Sequence, residues 1–244
     1  MEIQTRQGPA FGVARVTLLP NESVRVESGA MMAMSAGMSL ASRAEGGVLK
    51  SLKRAALGGE SFFISTYTAP AQGGWVDIAA RLPGDLTQLA VSSSNPLFVS
   101  KGSWLANDFG IAIDAKWGGF KNLFGSEGAF ILRADGDGKM VIGCYGALEV
   151  VDLAPGETFS VDTGHMVAYE SSVTMNLRTA AGGMVQSFKS GEGFVFDFTG
   201  PGKVWVQTRN PNELLGWIKA ALGTSNSGAG GGALGSLGGV FSRD

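Results

Sequence analysis

The chain has 244 residues, a formal net charge of −2 and one cysteine. That balance excludes a general electrostatic attraction for nucleic acid, which needs a clearly basic surface, and the lone Cys144 excludes an intrachain disulfide or a zinc site of several thiolates. Glycine, at 38 residues, is about twice its ordinary share and falls mostly at turns and in the C-terminal tail, the composition of a β-rich chain with many reversals.

The N-terminal MEIQTRQGPAFGV has no basic stretch leading into an apolar one, and no run reaches the roughly 18 apolar residues that span a bilayer. The expectation is a soluble, cytoplasmic protein. From Pro20, PNESVRVESGAMMAM gives a turn, an acid and an alternating run in which Val24 and Val26 share one face of a strand.

The segment Gly46 to Gly59, GGVLKSLKRAALGG, breaks the β pattern. Val48, Leu52, Ala55 and Ala56 share one face of a short helix, with Lys50, Lys53 and Arg54 near its rim and Arg43 upstream. These four cations form the candidate contact with an anionic surface. The alternative is a connecting segment that covers the core and leaves its charges solvated.

From Gly58, GGESFFISTYTAPAQGGWVDIA gives an acid beside glycine, an aromatic strand, a turn and a second apolar strand, with Val76 and Ile78 on one face. The pattern returns. A looser copy of the first half begins at Pro83 and resumes at Lys101, and GSEGAFILRADGDGKMVIGCYG copies the second half from Gly125. PGETFSVDTGHMVAY from Pro155 and SGEGFVFDFTGPGKVWVQT from Ser190 supply a third copy, with Phe194, Phe196 and Phe198 on one core face. Glu60, Glu127 and Glu192 lead the second halves at a period of about 66 residues.

These repeats predict an all-β fold in which residues 1–209 hold three units, 10–82, 83–150 and 151–209. Each second half reads as a β-hairpin, because DGDG at Asp135 and GPG at Gly200 have tight-turn chemistry. Three such units are expected to pack with pseudo-threefold symmetry as a sandwich or barrel. Asn210-Pro211-Asn212-Glu213 predicts a helix start, and Gly223 a stop, so residues 210–223 form a short C-terminal helix. Residues 224–244 are rich in Gly and Ser, a composition expected to be flexible.

The candidates for chemistry are few. His165 is the only imidazole, and it occupies the place held by Met31 in the first unit and Ser103 in the second, so it reads as structural rather than as part of a Ser-His-Asp arrangement with Asp162. No nucleotide or zinc fingerprint is present, so no cofactor is expected. Two sets of repeat-equivalent acids, Glu22, Asp85 and Glu157, and Glu60, Glu127 and Glu192, would offer oxygens to a cation if either set converged. Hydrogen bonding to nearby backbone amides is the simpler role.

GGVLKSLKRAALGGESFF, KGSWLAND, VDTGHMVAY and GEGFVFDFTGPGKVWVQTR resemble segments of a widespread family of uncharacterised bacterial and archaeal proteins that also includes a mitochondrial protein named for altered inheritance of mitochondria. The resemblance covers roughly residues 10–210. It implies a β-sandwich or barrel similar to that of the tryptophan RNA-binding attenuation protein (TRAP), triplicated in one chain, and carries over no established catalytic residues. The mitochondrial member is associated with inner-membrane organisation.

Three functional classes follow. The first is a non-enzymatic scaffold, peripheral to an anionic membrane or bound to a protein partner. The second is an RNA-binding module, by analogy of fold alone. The third is a small-ligand or metal-binding protein, or an enzyme, with a pocket between repeats. Trp104, Trp117 and Phe120 lie in polar, Gly-rich surroundings and are expected at a homo-oligomer interface.

Overall fold

A computed structural model describes residues 1–44, 63–116, 131–180 and 193–223. The first strands in chain order are β1 (Glu2–Arg6), β2 (Val13–Leu18), β3 (Ser23–Glu27), β4 (Met31–Met34), β5 (Ser39–Ala44), β6 (Phe63–Thr68) and β7 (Gly74–Ala79). They are followed by β8 (Leu86–Val91), β9 (Leu97–Ser100), β10 (Trp104–Asp108), β11 (Ala112–Lys116), β12 (Ile131–Asp135) and β13 (Gly138–Gly143). The last six are β14 (Leu148–Leu153), β15 (Thr158–Asp162), β16 (Met166–Glu170), β17 (Thr174–Thr179), β18 (Phe194–Thr199) and β19 (Gly202–Gln207). One helix, α1 (Pro211–Ala221), ends the described chain.

The strands form four sheets in the orders β1-β2-β7-β4, β5-β6-β3-β10-β13-β8, β11-β12-β9-β16-β19-β14 and β15-β18-β17. Every strand pair among the described residues is antiparallel, as β2 with β7 and β14 with β19 illustrate. None of these sheets closes on itself among the described residues, which corrects the barrel alternative.

The hairpin expectation is corrected too. β6 and β7, β12 and β13, and β18 and β19 follow one another through short turns, yet each pair divides between two sheets. The physical reason is burial on both faces. Met140 and Ile142 of β13 enter one apolar cluster while Val141 between them enters another, so this strand needs a neighbour on each side and a core on each face. A tight turn fixes where a chain reverses, not which strand lies beside it. Consecutive pairing occurs between β1 and β2 and, beyond them, between β5 and β6, β11 and β12, and β17 and β18, the last three pairs joined by residues 45–62, 117–130 and 180–193.

Among the described residues, three apolar clusters organise the β body. Val16, Val24, Val26, Val76 and Ile78 belong to the first, Val99, Trp104, Leu132 and Ile142 to the second, and Phe196, Phe198, Val204 and Val206 to the third. The alternation read at Val24/Val26, Val76/Ile78 and Phe196/Phe198 therefore places core residues as expected, whereas Phe194, the first residue of β18, is half-buried and lies outside the three clusters. Trp104 is fully buried with its indole N–H donated to Asn107 Oδ1 at 2.9 Å, which corrects its assignment to an exposed interface. Trp117 and Phe120 lie outside the described residues. Strand β14 runs across the 150/151 boundary expected between units, because it pairs along its whole length with β19.

Gly84 and Gly146 form an isolated parallel bridge, and a Cβ on Gly84 would collide with the carbonyl of Cys144. Glycine is required there by the close approach of two backbones. The chain divides into two compact units, Met1–Asn210 and Pro211–Asp244. In the second, α1 begins on Pro211 with Glu213 in its first turn and Lys219 in its last, the charge placement that suits a helix dipole. No helix among the described residues is long and apolar enough to cross a membrane.

Candidate interaction site

The densest set of charges among the described residues lies on one face of the sheet β1-β2-β7-β4. Alternation puts Val76 and Ile78 of β7 into the core and turns Trp75 and Asp77 the other way. Register sets Asp77 opposite Arg15 of β2, and Arg6 arrives from β1. Arg15 donates from Nε and Nη2 to the two Asp77 oxygens, each at 2.8 Å, and Arg6 donates to the same oxygens at 3.1 and 2.7 Å. Both arginine side chains keep about a third of their surface while Asp77 is buried beneath them. The Arg15 guanidinium carbon lies 3.9 Å from the centroid of the Trp75 ring, a cation–π contact.

Hydrogen bonds from Arg15, then those from Arg6, hold the Asp77 carboxyl well below the usual carboxylate range despite its burial. The two cations and one anion leave a rigid, partly exposed face with one excess positive charge. Its donors are planar and preoriented, the chemistry that recognises carboxylate or phosphate oxygens.

A second polar ladder occupies the sheet β15-β18-β17. Asp197 accepts from Arg178 Nε and from Ser160 Oγ, both at 2.6 Å, and these bonds lower its carboxyl pKa. Charge at both places contrasts with the joined sheets. Ala33 of β4 pairs with Asp77, whereas Ala106 of β10 pairs with Val141 and Ala168 of β16 with Trp205. Val141 and Trp205 are buried in apolar clusters.

The family described as Mitochondrial biogenesis AIM24 matches residues 3–209. The chain belongs to the AIM24 family. An uncharacterised protein of Streptococcus pyogenes serotype M6 is 24% identical over 225 residues, covering 89% of each chain. A Streptococcus pyogenes protein solved by crystallography has a TM-score of 0.76 and 23% identity, over 90% of this chain and 99% of that one, and so shares the fold.

In this AIM24 chain, most of the residues singled out from the sequence are not brought together by the described structure. Arg43 lies on β5 with its backbone opposite Ile64. Lys50, Lys53, Arg54, Glu60, Glu127 and Glu192 lie outside the described residues. Glu22 and Glu157 accept from the amides of Leu19 and Ala154, each three residues back, and Asp85 accepts from the amide of Leu86. That is the backbone role expected of the set, and Glu22 also pairs with the N-terminal amine.

His165 lies with Nδ1 2.7 Å from the Gln207 carbonyl, in a short 3-10 turn next to Met166. The register corrects its repeat assignment. Met31, Trp104 and Met166 each lead a register shift, so His165 stands beside Met166 as Ala30 stands beside Met31. Cys144 is buried, and its thiol pKa is pushed up to about 11, chiefly by burial. The Arg6, Arg15, Trp75 and Asp77 cluster was missed in the sequence. The local signal was present in the alternation of Trp75-Val76-Asp77-Ile78, which puts an aromatic and an acid on the non-core face.

Proposed function

We propose that this AIM24 family member is a non-enzymatic scaffold built from three like units, working in the cytoplasm at the periphery of an anionic membrane. The observation that carries the reading is the Arg6, Arg15, Asp77 and Trp75 face. Its guanidinium groups are held by a buried acid, so they meet an anionic oxygen with little further loss of side-chain freedom. Aromatic and cationic groups side by side suit a headgroup region. The polar groups most often used in catalysis have structural employment instead: His165 with Gln207, Asp77 with two arginines, Cys144 within the β body.

Three features support the repeated unit. Strands β2-β7-β4, β8-β13-β10 and β14-β19-β16 pair in the same order of first, sixth and third strand of a six-strand run. β3-β6-β5, β9-β12-β11 and β15-β18-β17 likewise pair as second, fifth and fourth. Register shifts fall at Met31/Ala33, Trp104/Ala106 and Met166/Ala168. On this reading the units start at β2, β8 and β14, in a TRAP-like packing.

Co-sedimentation with vesicles tests the function. Wild-type protein is expected to pellet with phosphatidylserine-containing vesicles and not with phosphatidylcholine vesicles, less so at 0.5 M salt than at about 0.1 M. Arg15→Ala, and separately Lys50, Lys53 and Arg54→Ala together, should weaken it. Absence of binding to anionic vesicles at low salt would remove the membrane from the reading. A parallel titration with single-stranded RNA separates the RNA-binding alternative, which the net charge of −2 disfavours.

A further inference from the structure

We infer that β4 and β15 are complementary edges through which a second copy of this chain adds to the sheet, β15 of one copy pairing antiparallel with β4 of the other. The inference rests on the three-unit reading. Two junctions between units are joined by main-chain pairing: β3 with β10, where Val26 faces Ala106, and β9 with β16, where Val99 faces Ala168. In the repeat PNESVRVESGAMMAM and PGETFSVDTGHMVAY, Val161 takes the place of Val26, and Ala33 the place of Ala168. The third junction would therefore set Ala33 opposite Val161 and Met34 opposite Ser160.

Among the described residues that junction is unmade. Among the described residues β4 ends one sheet and β15 ends another, each with no strand on its outer side. Exposure agrees: Met32 and Met34 of β4 are 52% and 39% exposed, whereas Asn107 and Tyr169, which follow Ala106 and Ala168 at the joined junctions, are 0% and 5% exposed. The made junctions also show what pairing brings. Arg25 and Asn107 both donate to the Ile111 carbonyl, and Phe98 stacks on Tyr169 with centroids 4.9 Å apart.

An edge with unsatisfied main-chain groups and apolar side chains is a template for another strand. The strand whose sequence and register fit β4 is β15, and no other described edge carries the repeat position of Val26. A second copy supplies it. Two copies that exchange β15 and β4 reciprocally satisfy both edges of both chains and close the assembly without leaving a free end.

Cysteine cross-linking tests the pairing, since directly opposed strand residues bring their Cβ atoms close to disulfide range. Cys144 is buried and stays out of the reaction. Met34→Cys and Ser160→Cys proteins, each checked by circular dichroism for a native fold, are mixed and mildly oxidised. A disulfide-linked dimer at least tenfold more abundant in the mixture than in either protein alone is the expected result. No excess in the mixture overturns the inference. If the double variant instead forms an intrachain disulfide, the seam closes within one chain, so the inference falls and the three-unit reading stands. If no arrangement cross-links, the register is wrong and both fall. Sedimentation velocity of unsubstituted protein adds a readout free of substitutions: mass rising with concentration toward two chains is expected, and a single-chain mass throughout overturns the inference.

Discussion

Arg15 grips both carboxylate oxygens of Asp77 at 2.8 Å from the neighbouring strand, and the carboxylate it covers is only 2% exposed. A charged group sits there because β7, unlike β13 and β19, has no second apolar cluster against its outer face among the described residues. The arginines supply the cover that a core supplies elsewhere.

Replacing Asp77 with Asn keeps the shape and removes the charge that both arginines share. Stability should fall by about 2 kcal/mol, the range of hydrogen bonds to charged groups, measured as a lower urea midpoint at pH 7.

The same carboxyl gives a pH dependence with a defined sign. Its folded pKa is depressed below the unfolded value, so its contribution is present in full above the unfolded pKa of about 4 and is lost as pH falls from there toward the folded pKa. Urea midpoints of the parent protein should decline between about pH 5 and pH 2 more steeply than those of Asp77→Asn.

Trp104→Phe removes the indole N–H that meets Asn107 Oδ1 and leaves space in the second cluster. A loss of about 2 kcal/mol is expected from the unsatisfied amide and the cavity together, read by chemical denaturation.

Gly84→Ala drives a methyl group into the Cys144 carbonyl at the bridge between Gly84 and Gly146. The backbones must separate, and destabilisation of about 3 kcal/mol is expected, whereas Gly102→Ala, where a Cβ meets nothing, should be near neutral.

The Cys144 thiol donates weakly to the carbonyls of Gly146 and Asp85 and is 4% exposed, with its pKa raised to about 11. A thiol reagent at pH 8 should label it slowly in folded protein and at once in 6 M guanidinium. Fast labelling of the folded chain would show that the β body opens locally around Gly84 and Gly146.

Local alternation by itself determined the strands and their core faces: Val24 and Val26, Val76 and Ile78, Phe196 and Phe198 all point inward as their period of two requires. Pro211 and its neighbours marked the helix equally well. Only the tertiary structure decided which strands pair. The turns at Asp135 and Gly200 looked like hairpins, but β13 and β19 leave their predecessors for other sheets because each must be buried on two faces. The candidate site shows the same division. Trp75 and Asp77 share a face by alternation, whereas Arg6 and Arg15 reach Asp77 from 71 and 62 residues away, a distance that no local pattern encodes. A strand's sequence specifies which side is apolar; its partner is chosen by the packing of all the strands at once.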